Sequence, residues 1–324
     1  MKIVITGAGG FLGRKLSLAL LGRQTPPAGF DHPLAELVGA DLMPPPDLRD
    51  PRFHPVACDI GDGQAVRELV ADADLVFHLA AIVSADAEAD FDRGMRVNLD
   101  GTRNLLEALR AGGRRPRLVF ASSVAVYGGN LPETITDTTH LTPQTSYGAQ
   151  KAAGELLVND YSRKGYIDGR SLRLPTIVVR AGEPNLAAST FASSIIREPL
   201  AGEEAVCPVT PDTAMYLLSP RRVIAAFLHA AGLPASAFGG WRSVVLPGLT
   251  VTVGEMVETL RRVAGDKVAA RVRWEPEARI QAIVAGWPAR FAPERGLSMG
   301  FAADTSFEEI VRAHIEDELG GRIA

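Results

Sequence analysis

The chain has 324 residues, 46% of them hydrophobic and 22% charged, which is enough for a full core and one large or two unequal domains. A net charge of −4 and a pI near 5.9 argue against an electrostatic partnership with nucleic acid or an anionic membrane surface. Two separated cysteines, Cys58 and Cys207, and six scattered histidines offer no metal-ligand spacing and suit a reducing, cytoplasmic setting, so no metal is expected.

Lys2 to Thr6 is a short apolar run without alternation, the pattern of a strand buried on both faces of a parallel sheet. Met1-Lys2 leads straight into it, leaving no room for a signal-peptide apolar core, and no later run approaches the roughly 20 apolar residues of a membrane span. Gly7-Ala-Gly-Gly10-Phe11-Leu12-Gly13 follows, and Lys15 to Leu21 continues as a helix. A glycine loop between a strand and a helix lets a pyrophosphate approach backbone N–H groups at the helix N-terminus.

Leu37 to Ala40 reads as the second strand and ends on Asp41, where a carboxylate can hold the adenosine ribose and repel a 2′-phosphate. No Lys or Arg follows in Leu42-Met43-Pro44, which favours NAD over NADP; a loop-capping role for Asp41 is the alternative. Val56 to Ile60 reads as a third strand, with Asp59 and Ile60 placed to flank the adenine. Gly63 to Ala71 is a helix, and Leu75 to Ala81 a fourth strand whose small end, Leu79-Ala80-Ala81, leaves room for the cofactor. His78 reads as a packed strand residue, and Ser84 as a hydroxyl that could face a substrate. Arg96 to Leu109 is a long helical pattern in which Asn98 is either a polar anchor or a helix-start residue. Arg114, Arg115 and Arg117 read as a solvated loop, and Leu118 to Ala121 as the fifth strand, leading to Ser122 and Ser123.

Tyr147 and Lys151 stand four apart at the start of a helical pattern that runs to Tyr161, so a phenol and an ammonium share one face. Bringing a tyrosine pKa from about 10 towards neutrality takes roughly 4 kcal/mol. A charge about 4 Å away supplies roughly that at an effective dielectric near 20. Such a pair can serve as an acid–base group, although the spacing alone is common by chance.

Leu172 to Val179 is a further strand-like run that Pro175 must bend or confine to an edge. Prolines then punctuate a less regular half, with helical patterns at Arg221–Ala231, Val253–Ala264 and Phe307–Leu319. Ser243 to Leu246 reads as a strand able to rejoin the main sheet. The expected fold class is α/β, a doubly wound parallel (Rossmann) sheet with a smaller substrate-binding region. The expected domains are residues 1–174 for NAD and 175–324 for substrate, with a segment near 213–246 returning to the sheet.

Taken together, Thr6-Gly7-x-x-Gly10-x-x-Gly13, Asp41, Asp59-Ile60, His78-Leu-Ala-Ala81, Ser122-Ser123, Tyr147-x-x-x-Lys151 and Leu172-Arg173 resemble the extended branch of the short-chain dehydrogenase/reductase superfamily. The resemblance implies an NAD-dependent oxidoreductase with a substrate-capping region, forming homodimers partly through the helix that carries Tyr147. It implies Tyr147 as the acid/base, Lys151 as the group that holds the nicotinamide ribose and lowers the tyrosine pKa, and Ser123 as the hydrogen-bonding partner of the reacting oxygen; Ser122 is the weaker candidate. Asn98 and Pro175 join the expected cofactor set with the residues already named. The stretch from Ser171 to Val206 resembles members of that branch that oxidise the C2 hydroxyl of a small sugar acid. A sugar acid needs a cation for its carboxylate, and Arg180 and Arg197 can offer a bidentate fork, unless they are surface charges or internal ion pairs. Ser84, Thr176, Asn185 and Ser189 are expected hydroxyl partners. Two rivals stay open: a nucleotide-sugar epimerase or dehydratase, with Arg221-Arg222 as its pyrophosphate site, and a non-catalytic dinucleotide sensor.

Overall fold

Lys2–Thr6 (β1) has Ile3, Val4 and Ile5 fully buried, because parallel neighbours lie on both sides and the sheet is covered on both faces. The computed structural model describes the chain apart from residues 24, 27, 47 and 183–187. After β1 come β2 (Glu36–Asp41), β3 (Phe53–Ala57), β4 (Leu75–His78), β5 (Arg117–Ser123), β6 (Asp168–Leu174) and β7 (Ser243–Val245). Their spatial order is β7-β6-β5-β4-β1-β2-β3. The order reverses between β1 and β4, and ligands of such sheets bind at the carboxyl ends of the strands where that reversal occurs. The connecting helices include α1 (Phe11–Leu21), α2 (Gly63–Leu69), α3 (Ser84–Ala89), α4 (Gly101–Gly112) and α5 (Ser146–Arg163).

Two compact units are present. The first comprises Met1–Val126, Thr145–Arg173 and Ile224–Val245; the second comprises Tyr127–Gln144, Leu174–Val223 and Leu246–Ala324. Residues 127–144, within the span expected to bind NAD, thus belong to the second unit. In the first, Val4, Val38, Val76, Leu105, Leu118, Phe120 and Val158 form one apolar cluster. The second has a three-stranded sheet of Thr176–Ile177, Ala214–Leu218 and Leu249–Thr252, and a separate core that includes Ile195, Met215, Met256, Leu260 and Ile310.

Several element limits differ from expectation for physical reasons. The third strand is Phe53–Ala57, not Val56–Ile60: it is the edge of the sheet, where Pro55 leaves no ladder bond unmade, and Asp59 and Ile60 lie past its end. The fourth strand stops at His78 rather than Ala81, while the fifth extends through Ser123. The run from Leu172 is broken at Pro175 into β6 and Thr176–Ile177. The helix expected over 96–109 begins as a π-helical segment, Met95–Asp100, before α4. Arg117 is the first residue of β5, and the reading of it as a solvated loop residue is corrected.

Candidate active site

The glycine loop is shaped by contacts that only missing side chains allow. Gly7 has φ +77°, and a Cβ there would meet the Ala80 backbone nitrogen at 2.7 Å; a Cβ at Gly13 would meet the Gly7 carbonyl oxygen at 2.1 Å. Gly10 caps α1 without a side-chain hydrogen bond, and the first turn, which includes Phe11 and Leu12, carries no acidic residue. The positive end of the helix is therefore left for an anionic ligand such as a pyrophosphate. Gly9 N–H donates to Asp41 Oδ2 at 3.0 Å and Leu42 N–H to Asp41 Oδ1 at 2.7 Å, so the Asp41 carboxylate is fixed beside the loop. Both readings of Asp41 describe it, since capping the turn leaves carboxylate lone pairs for a ribose diol. A dinucleotide fits this cradle: it has room, uncapped donors and a carboxylate.

Ser123, Tyr147 and Lys151 come from β5 and α5. Thr145 accepts a hydrogen bond from Gly148 N–H at 3.1 Å and starts α5 just ahead of the tyrosine. Glu88 on α3 accepts from Ser146 N–H at 2.9 Å, tying that first turn to the helix that begins with Ser84. Lys151 is 3% exposed; its ammonium donates to the Ala121 carbonyl at 2.9 Å and lies 4.8 Å from the Phe120 ring centroid and 5.7 Å from that of Tyr147. Burial pulls its pKa down to about 8, against the Glu155 carboxylate, which raises it. Ser123 is two residues beyond Ala121, half-buried, and its Oγ accepts from Ala125 N–H at 3.1 Å. Ser122 differs: its buried hydroxyl donates to Glu155 at 2.5 Å, so its proton is committed inside the fold.

The polar residues under the β4 end form a chain with a determined direction. Thr102 donates its proton to the Asn98 carbonyl at 2.7 Å, so it can only accept from His78 Nε2 at 3.0 Å; His78 Nδ1 then accepts from Thr6 at 2.7 Å. His78 is neutral and packed, stacked on Phe120, with its pKa pulled down to about 3 by burial and by the Lys151 charge. Asn98 is 2% exposed; it accepts from Ile82 N–H at 2.9 Å and donates to the Ile82 carbonyl and to Gln150 Oε1. Both amide protons are thereby engaged, and the polar-anchor reading describes it: it clips the loop after Leu79, Ala80 and Ala81 to α5 rather than presenting its amide to a ligand. Asp59 pairs with Arg96 at 2.8 Å, and that hydrogen bond holds its carboxyl below the usual range; Ile60 is buried against Gly101.

In the second unit, Pro175 packs near Gly248, and Thr176 and Ile177 pair with Leu217 and Leu218. Arg180 is half-buried and its backbone is held at both groups: its N–H donates to Ser193 at 3.1 Å and its carbonyl accepts from Arg197 at 2.7 Å. Arg197 also pairs with Glu198 at 2.6 Å, which makes it an internal ion pair and corrects the expectation that it offers a free fork to a carboxylate. Ser189 precedes the helix Thr190–Leu200, and Asn185 lies outside the described residues. Arg221 is bound by Glu316 and Asp317, and Arg222 by Glu309, so carboxylates already occupy the cations that would have held a pyrophosphate.

Glu155 is not singled out in the sequence, and Arg173 only as part of a motif. Glu155 and Arg173 form a buried pair on α5 and β6, closed by Nη2–Oε2 at 2.7 Å. A signal existed, since Glu155 is four residues beyond Lys151 on the same helical face.

The sequence pattern of the NAD dependent epimerase/dehydratase family matches residues 3–231. The chain is 54% identical over 321 residues, 98% of each chain, to a D-erythronate dehydrogenase of Cupriavidus necator. It is 44% identical to a D-erythronate dehydrogenase of Haemophilus influenzae, over 98% of this chain and 100% of that one. Its fold superposes on the crystal structure of a nucleoside-diphosphate-sugar epimerase from Agrobacterium tumefaciens with a TM-score of 0.95 and 46% identity, covering 100% of this chain and 96% of that one.

Proposed function

The chain belongs to the NAD dependent epimerase/dehydratase family, and from that premise we propose that it oxidises the C2 hydroxyl of a small sugar acid, D-erythronate, with NAD as hydride acceptor. The observation that carries this is the 54% identity, over nearly the full length of both chains, to a D-erythronate dehydrogenase. The products are the 2-oxo acid, NADH and a proton. NAD, when bound, supplies the carbon that takes the hydride from C2. Tyr147 takes the hydroxyl proton, and Ser123 donates a hydrogen bond to the reacting oxygen. Lys151, with one ammonium proton on the Ala121 carbonyl, keeps two for the nicotinamide ribose, and its charge favours the phenolate. Asp41 holds the adenosine ribose. Substrate selection belongs to residues 175–324; Arg180 is the cation for the substrate carboxylate, and Ser84, Thr176, Ser189 and Asn185 are hydroxyl partners of the substrate. The assembly is a homodimer built partly on α5, where Leu156 is 56% exposed, and sedimentation of the purified protein tests it. The compartment is the cytoplasm, in keeping with two buried free cysteines.

Purified protein incubated with NAD and a panel of four- to six-carbon sugar acids is expected to release NADH with D-erythronate. Release with none of them would overturn the assignment. A second reading, a nucleotide-sugar epimerase, is favoured by the 46% identity to the Agrobacterium epimerase. Against it stand the carboxylates on Arg221 and Arg222. Its mark would be tightly retained NAD, no net NADH and tight binding of a uridine nucleotide.

A further inference from the structure

Lys151 has to remain an ammonium in a place that disfavours one. It is 3% exposed, and its near neighbours are a carbonyl and two aromatic faces. The packing that buries it is tight: a Cβ at Gly154 would come within 2.8 Å of the Phe120 ring, so α5 lies directly on β5. One turn beyond Lys151, Glu155 is completely buried. A carboxylate can stay ionised there only if its oxygens are bonded. Arg173 Nε donates at 3.0 and 3.1 Å to the two oxygens, Arg173 Nη2 donates at 2.7 Å, and Ser122 Oγ donates at 2.5 Å. The three partners lie on β5, α5 and β6, and each is close in sequence to a residue of the site: Ser122 precedes Ser123, Glu155 follows Lys151 by one turn, and Arg173 precedes Leu174 and Pro175.

We propose that Glu155 is a positioning residue for the dehydrogenation: its buried carboxylate, locked by Arg173 and Ser122, holds Lys151 as an ammonium and fixes the end of β5 on which Ser123 stands. The groups that face the carboxylate are Arg173 from β6, Ser122 from β5 and Lys151 from its own helix; His78 from β4 is stacked on Phe120. The Arg173 fork bonds both Glu155 oxygens, and Lys151, an i,i+4 neighbour, is the titrating group close enough to feel that carboxylate. The inference rests on the dehydrogenase reading for its catalytic consequence, but the charge on Lys151 can be followed without any substrate.

The chain has five lysines, Lys2, Lys15, Lys151, Lys164 and Lys267, so the 13Cε resonance of Lys151 in lysine-labelled protein can be assigned by its loss in Lys151→Arg. Its titration is expected near pH 8 in the parent protein. Glu155→Gln is expected to move it down by about one pH unit, the lower end of what one close opposite charge does. The alkaline limb of kcat/KM for NADH formation should move by the same amount. Because that variant leaves Arg173 buried without a carboxylate and can fail to fold, Glu155→Gln/Arg173→Gln is measured beside it as a neutral, hydrogen-bonding pair. A downward move that persists in the double variant supports the proposal. A move confined to the single variant would assign the effect to the exposed Arg173 charge and overturn it. An unmoved Lys151 titration, with a lowered Tm alone, would make Glu155 purely structural and also overturn it. If no sugar acid yields NADH while the titration moves as expected, the substrate assignment fails and the role of Glu155 stands.

Discussion

Strand β6 carries a buried ionic cluster at each end, and the two are built differently. At its carboxyl end one arginine, Arg173, meets one carboxylate, Glu155, and the cluster closes on itself beside a titrating lysine. At its amino end one carboxylate, Asp168, faces three arginines: Arg117 at 3.1 Å, Arg170 in direct contact and Arg242 at 3.5 Å. The excess cations turn to backbone carbonyls, with Arg170 donating to Ala230 and Leu233, Arg117 to Ala231, and Arg242 to Ala235. The carbonyls of Ala230, Ala231 and Leu233 lie at and just beyond the C-terminus of the helix Pro220–Gly232, the end of a helix that attracts cations. Burial pushes the Asp168 carboxyl up, but the Arg170 and Arg117 guanidiniums carry it below its ordinary value. With the Asp168 carboxyl held below its ordinary value and no lysine or histidine in it, this second cluster acts on stability, whereas the first can act on chemistry. Buried charge is informative about function only where a neighbour can change its protonation.

The sharpest way to break this contrast is to remove the groups at each end. Tyr147→Phe, at the phenol beside the lysine of the first cluster, is expected to cut kcat by about 10²–10⁴-fold, the range for loss of a general acid–base group. Calorimetry should find Tm and NAD binding unchanged. Asp168→Asn, at the amino end, is expected to do the reverse. Buried Arg170 and half-buried Arg117 and Arg242 lose their carboxylate, a loss of about 3–5 kcal/mol, which lowers Tm by about 10 °C. The kcat of the folded fraction should stay at the parent value; a kcat that falls with Tm would erase the distinction.

His78 sharpens the comparison through pH. Its folded pKa, about 3, is below the ordinary 6.5, so the unfolded chain binds the extra proton and stability is lost as pH falls from 6.5 towards 3. Between pH 7 and pH 5 the loss is about 2 kcal/mol at about 1.36 kcal/mol per unit. Denaturant titrations of His78→Gln should lose that slope, and a parent protein equally stable at both values would contradict it. The smallest effect is expected at Asp41, whose half-buried carboxylate lies between the extremes. Asp41→Ala should raise the NAD Kd about ten-fold, the value of a lost hydrogen bond to a charged group, reduce discrimination against NADP and leave Tm nearly unchanged.

Much of the first unit is legible in the sequence because its signals are local. An unalternating apolar run, three glycines and a following helix are enough to locate β1, the loop and α1, and Tyr147 and Lys151 are one turn apart. What is not legible depends on partners far along the chain. Asn98 can be an anchor or a helix start until its amide meets Gln150, 52 residues on. Arg173 can be read only as part of a motif, since the carboxylate it binds stands 18 residues earlier. The position of β3 is obscured because Pro55 reads as a strand breaker, and nothing local says that this strand is an edge. Arg197 offers a fork to a carboxylate until Glu198 is found on it.

The parallel pairing of β7 with β6, Ser171 opposite Ser243, Val244 opposite Leu172 and Val245 opposite Arg173, also sets an order of events during synthesis. A ribosome that has released residues 1–174 has produced six strands, but the edge of β6 stays open until Ser243–Val245 emerges. The carbonyls that receive Arg117 and Arg170 are likewise not yet made. The nascent sheet thus carries an unpaired edge and unreceived cations for some 70 residues of elongation, several seconds at about 5–20 residues per second. That interval is when a chaperone has most to bind and when a truncated transcript yields a product prone to edge-to-edge association.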